Sequence, residues 1–141
     1  MGDQYEKKIF MTIIFIFSLS TMFMTWFGGY KGVQDVSGFI LMNNPIAVTC
    51  MMITIFSIWM HWGYTSYILC CIGLIGIIAM EIYEFLTWHI FPFSGVFSLR
   101  LSLELCYPQF YIALMSTTAT FLIYKYYFWK RDLTKWQDYV S

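Results

Sequence analysis

Two carboxylates stand inside an otherwise apolar run. From Tyr67 to Phe85 the chain reads YILCCIGLIGIIAMEIYEF, and Glu81 and Glu84 are its only charges. An ionisable group in such a run is costly to bury and generally faces protein or water. It can hold a proton, bind an ion, or pair with a cation as plain structural glue. On a helical wheel Glu84 lies within about 20° of Gly73 and about 60° of Glu81. Cys70 and Gly76 share that broad face, while Leu74, Ile75, Ile78 and Ile82 fall on the opposite one. Small residues mark helix–helix contact in membranes, so the carboxylates are expected to point into a bundle. Ala113, Ser116, Thr117 and Thr120 offer a matching surface. Arg100 and Lys31 are the cations within reach of a salt bridge, and His89 is the nearest imidazole. The candidate polar site is therefore Glu81, Glu84, His89 and Arg100.

Other chemistry is less well founded. Glu81, Glu84, His89 and Asp35 could supply oxygen and nitrogen ligands, but their spacing is not that of a metal motif, and no metal is assigned. Ten methionines suit soft metals and equally suit the filling of irregular apolar cores. The four cysteines, Cys50, Cys70, Cys71 and Cys106, form no CxxC pair. Cys70 and Cys71 point about 100° apart on one helix, and a Cys50–Cys106 disulfide stays open. No Ser-His-Asp nucleophile motif is present, and His61 and His89 fall at opposite ends of the apolar run. These residues point to a non-enzymatic protein without cofactor.

The elements that position these groups are apolar. The chain has 141 residues, 60% hydrophobic and 11% charged, against about 25% charged in soluble domains. A formal net charge of zero gives no basic patch for nucleic acid. A bilayer core takes about 20 apolar residues in a helix, and four stretches qualify or nearly do: 9–27, 45–62, 67–85 and 110–128. Asn44-Pro45 reads as a cap followed by proline at the first helical position. Pro108 does the same ahead of the fourth stretch, and Pro92 stops the third. The MGDQYEKK start followed by a long apolar run reads as an uncleaved signal anchor.

Basic residues set the orientation. Lys7, Lys8, Lys125, Lys130, Arg131 and Lys135 flank the outer ends of the four-span map, whereas only Lys31 and Arg100 lie in its longer loops. Both termini are thus expected in the cytoplasm, in the plasma (inner) membrane.

The loops and tail carry most of the remaining polarity. In the loop from about Leu86 to Tyr107, the segment Phe97–Leu105 alternates apolar and polar residues, the period of a half-buried strand. Its expected partner is the Val33–Leu41 stretch of the Gly28–Asn44 loop, giving a small extracytoplasmic β-ribbon. In the tail 129–141, Trp129, Leu133, Trp136 and Val140 share one helix face, suited to the inner leaflet or to a cytosolic protein partner. The layout resembles the claudin-like tetraspans in carrying strands above four helices, without the tryptophan-glycine-cysteine signature of that family.

The sequence thus predicts one all-α integral membrane domain, a four-transmembrane-helix bundle with a small β-ribbon. Its expected role is that of a tetraspan subunit in a membrane assembly that senses, anchors or regulates through outer loops and tail. Its partners are the lipid bilayer and copies of itself, as homo-oligomers are the commonest assemblies. The alternative is an oligomeric channel or small transporter with Glu81 and Glu84 along the path.

Overall fold

A computed structural model describes residues 2–60 and 63–140, except the side chains of Phe93 and of residues 129–140. The chain is mostly helical, with one two-stranded sheet. Helices α1 (Gly2–Ser20), α2 (Pro45–Trp59), α3 (Tyr64–Thr87) and α5 (Pro108–Val140) form the body, and a short α4 (Leu99–Glu104) sits in the last loop. α3 packs between α2 and α5, while α1 packs on α5 and less extensively on α2.

Local chemistry explains several boundaries. The Asn44 side chain accepts a hydrogen bond from the Ile46 backbone N–H at 3.0 Å, with Pro45 opening α2. This satisfies one of the donors that every helix start leaves free. At the other end of α2, Lys8 of α1 donates from Nζ to the Trp59 and Met60 carbonyls at 3.2 and 3.4 Å. A cation at a helix C-terminus also complements the helix dipole. Gly63, at φ +58, turns the chain into α3. The α2–α3 pair is close because Gly73 lacks a side chain: a Cβ there would run into Thr54 Oγ1 and the Cys50 carbonyl.

The first apolar stretch is not one helix. α1 ends at Ser20, a 3-10 turn covers Thr21–Phe23, and strand β1 (Thr25–Phe27) follows. The reason lies in Trp26 and Phe27, both fully buried. Trp26 donates from its indole N–H to the Thr21 carbonyl at 3.0 Å and meets Phe110 edge-on at 5.5 Å. Phe27 stacks on Trp88 at 5.2 Å. Extended backbone sends these two rings into the helix ends on both sides, which a continuing helix cannot do.

The ribbon forms, with one strand inside the expected Val33–Leu41 stretch but a different partner. β1 pairs antiparallel with β2 (Val36–Ser37), Thr25 opposite Ser37 and Phe27 opposite Val36. Its other edge meets the last loop at Cys106, where Tyr107 N–H donates to the Trp26 carbonyl at 2.8 Å and Gly28 N–H to the Leu105 carbonyl at 3.0 Å. Thus β1 takes the place expected for Phe97–Leu105. That segment is mainly helical: Ser98 caps α4 by accepting from Leu101 N–H, and Arg100 pairs with Glu104 one turn on at 2.7 Å. Those i, i+3 and i, i+4 contacts hold the helix against its alternating pattern.

One run, Tyr64–Pro92, is long and apolar enough among the described residues to cross a bilayer, and α2 is apolar but shorter. The tail residues Trp129, Leu133, Trp136 and Val140 belong to α5, and their side chains lie outside the described residues.

Candidate functional site

One cluster of polar side chains forms where α1, α3 and α5 meet. Glu81 on α3 is 3% exposed. Its Oε1 lies 2.8 Å from Thr117 Oγ1 on α5. Thr117 Oγ1 is in turn 3.0 Å from Ser18 Oγ on α1, and Ser18 Oγ is 3.2 Å from Ser116 Oγ. Helical register explains the meeting: Ser116 and Thr117 present adjacent hydroxyls to the two neighbouring helices. Nearby Thr120 is also buried and donates to the Ser116 carbonyl.

Proton counting constrains this network. Thr117 has one hydroxyl hydrogen but two acceptors in reach, Glu81 Oε1 and the Ala113 carbonyl at 3.1 Å. Ser116 already donates to that carbonyl at 2.9 Å. Glu81 Oε2 is buried without a hydrogen-bond partner among the described residues. An ionised carboxylate here would be a buried charge with one donor and no cation, a costly state. Without a proton, Glu81 Oε1 accepts from Thr117; a proton on Oε1 would let Glu81 donate to Thr117 while Thr117 turns to the Ala113 carbonyl. The arrangement can therefore hold a proton between three helices.

Glu84 occupies a separate place. It is 8% exposed and lines a cleft of about 480 Å³ between the Gly38–Asn43 turn, the start of α2 and the end of α3. No described residue gives its carboxylate a hydrogen bond or an ion pair.

His89 does not join either carboxylate. It is fully buried beneath α4, where Ser98 N–H donates to Nε2 at 3.3 Å and Ser102 Oγ lies 3.3 Å from Nδ1. Ser102 donates onward to the Ser98 carbonyl. The ring is thus a neutral tautomer with its hydrogen on Nδ1, and it anchors the last loop. Arg100 is exposed and bound to Glu104, away from both carboxylates. Asp35 is engaged by Tyr107 O–H and Gly29 N–H. The four sequence candidates therefore divide among three places: the Glu81 network, the Glu84 cleft and the His89–Arg100 loop. Among the described residues no three His, Cys, Asp or Glu side chains are placed to share a metal.

Ser18 is the participant that sequence reasoning left out. It was visible only as a polar residue midway along an apolar stretch. Leu74, expected on the outward face of α3, is fully buried, whereas Ile72 and Ile75 face out. All four cysteines are free. Burial pushes the Cys106 thiol up to about 11, so at neutral pH it is not the thiolate that disulfide exchange requires.

No protein-family model, curated protein or solved structure matches this chain.

Proposed function

We propose that this protein is a small, non-enzymatic four-span subunit of a plasma-membrane assembly, with both termini cytoplasmic. It senses, anchors or regulates through its outer loops and aromatic tail. The observation that carries this reading is an inside-out distribution of side chains. Ser18, Thr54, Ser57, Glu81, Thr117 and Thr120 are buried, while Ile13, Ile16, Phe17, Ile46, Phe56, Ile72, Ile75, Met115 and Leu122 face outward. Soluble monomers rarely expose apolar surface continuously on every helix, whereas lipid favours it.

The short α1 and α2 fit this reading because non-helical backbone is tolerated at membrane depth when protein covers it. Trp26 and Phe27 are so covered, and the β1 backbone is paired on both edges. A pore is less well supported. Glu81 is sealed, Glu84 opens into a different cleft, and Tyr67, Tyr124 and Phe128 stack across the far end at 5.9 and 4.7 Å.

Self-association is favoured by a shallow cleft on α5 lined by Leu114, Met115, Thr118, Ala119 and Leu122. Small side chains there allow close helix approach. Mass measurement of the full-length protein in mild detergent tests the proposal. An assembly well above the 16.8 kDa chain, reduced by Ala119→Phe or by removing residues after Arg131, is expected. A monomer without bound protein would overturn it.

A further inference from the structure

We infer that the cleft beside Glu84 binds a quaternary ammonium group, either free choline or the headgroup of a choline phospholipid. The cleft has a single carboxylate, that of Glu84, a residue only 8% exposed whose carboxylate receives no hydrogen bond or ion pair from the described residues. A nearly buried carboxylate with no partner is relieved by a proton or by a cation, and the cleft leaves room beside it for a cation. Tyr83, Trp88 and Phe91 line the same cleft, with Asn43 as a further polar group. Its volume of about 480 Å³ lies in the range of about 300–1,000 Å³ typical of small-molecule sites.

The walls decide which cation fits. A divalent metal asks for several protein ligands held around it, and one carboxylate beside Asn43, Asn44 and Thr87 is a sparse set for that. A quaternary ammonium carries its charge on a weakly hydrated, carbon-rich body. Its charge meets the Glu84 carboxylate while its alkyl groups lie against aromatic faces, which attract cations. Phe91 is 96% exposed at the rim, where a bound ligand would cover it. The binding itself stands apart from the subunit reading, whereas the lipid source rests on the membrane placement.

The test uses the full-length protein in nanodiscs of phosphatidylglycerol, with thermal unfolding followed against choline chloride and equal sodium chloride. Choline is expected to stabilise saturably, with the half-saturating concentration rising about tenfold in Glu84→Gln, the loss of about 1.4 kcal/mol. Phe91→Ala, at an exposed ring, should weaken binding by about threefold. Phosphatidylcholine nanodiscs separate the sources. If the headgroup is the ligand, they stabilise the protein without choline, and Glu84→Gln abolishes the difference between the lipids. The inference is overturned if choline and sodium act alike in phosphatidylglycerol and the two lipids give equal stability. It is also overturned if Glu84→Gln, or Phe91→Ala where the former does not fold, responds as the parent. Either failure leaves the subunit reading standing, because that is read from assembly mass.

Discussion

Glu81 on α3 and Thr117 on α5 are joined through a 2.8 Å contact between Oε1 and Oγ1, and Ser18 extends the contact to α1. Three helices are thus tied by side chains that each lie inside an apolar surround. A neutral Glu81 satisfies this geometry. Glu81→Gln, which keeps a donor and an acceptor, should leave thermal stability within about 1 kcal/mol of the parent. Glu81→Leu should destabilise by about 1–3 kcal/mol, since it removes a buried hydrogen-bond partner. Unfolding in detergent measures both. Severe loss in Glu81→Gln would show that the charge itself is required.

Single-cysteine labelling distinguishes α4 from a strand. Leu99, Arg100, Leu103 and Glu104 are exposed, and Ser102 is fully buried against His89. Cysteines at 99, 100, 103 and 104 should react with a water-soluble maleimide, and one at 102 should not. A strand would instead protect 99, 101 and 103 together.

Much of the helical frame was legible in the sequence, and the errors have identifiable causes. Asn44-Pro45 and Pro108 marked helix starts correctly because capping is local chemistry. The first stretch was read through to Phe27 because an apolar run looks alike as helix or as buried extended chain. Only the tertiary sockets for Trp26 and Phe27 decide it. The Phe97–Leu105 alternation misled because nine residues are too few to outweigh capping. Ser98 and the Arg100–Glu104 spacing were the signals of a helix. Meeting of Glu81 with the Thr117 surface followed from small residues and helical phase. The separation of His89 from both carboxylates did not, because it depends on how the last loop folds over α3.

Acid should loosen that loop. His89 Nε2 accepts from Ser98 N–H, and protonation would turn this acceptor into a donor facing a donor. The contact is therefore present with neutral imidazole and lost as pH falls through and below the ordinary imidazole range, about 6.5. Amide exchange at Ser98–Leu105 should accelerate on acidification relative to α3, once corrected for intrinsic rates. His89→Ala should show fast exchange at every pH. Equal protection in both forms would remove His89 as the anchor.

Gly73 sets the distance between α2 and α3. A Cβ at that position would meet Thr54 Oγ1 and the Cys50 backbone carbonyl, and backbone cannot yield as a flexible side chain does. Gly73→Ala should cost about 1–3 kcal/mol, as overpacking generally does, and Gly73→Val more. Gly2, with no neighbour at its Cβ position, serves as the control, and Gly2→Ala should be neutral in the same unfolding measurement.

The membrane reading rests on outward apolar faces and on where the basic residues fall, and paired topology reporters test it most directly. One reporter is fused after Ser141 and a second is inserted in the Gly28–Asn44 loop of the otherwise intact chain. The account predicts a membrane-fraction protein whose tail reporter is active in the cytoplasm and whose loop reporter is active outside. A tail reporter active only outside, both reporters on one side, or a chain recovered in the soluble fraction would contradict it.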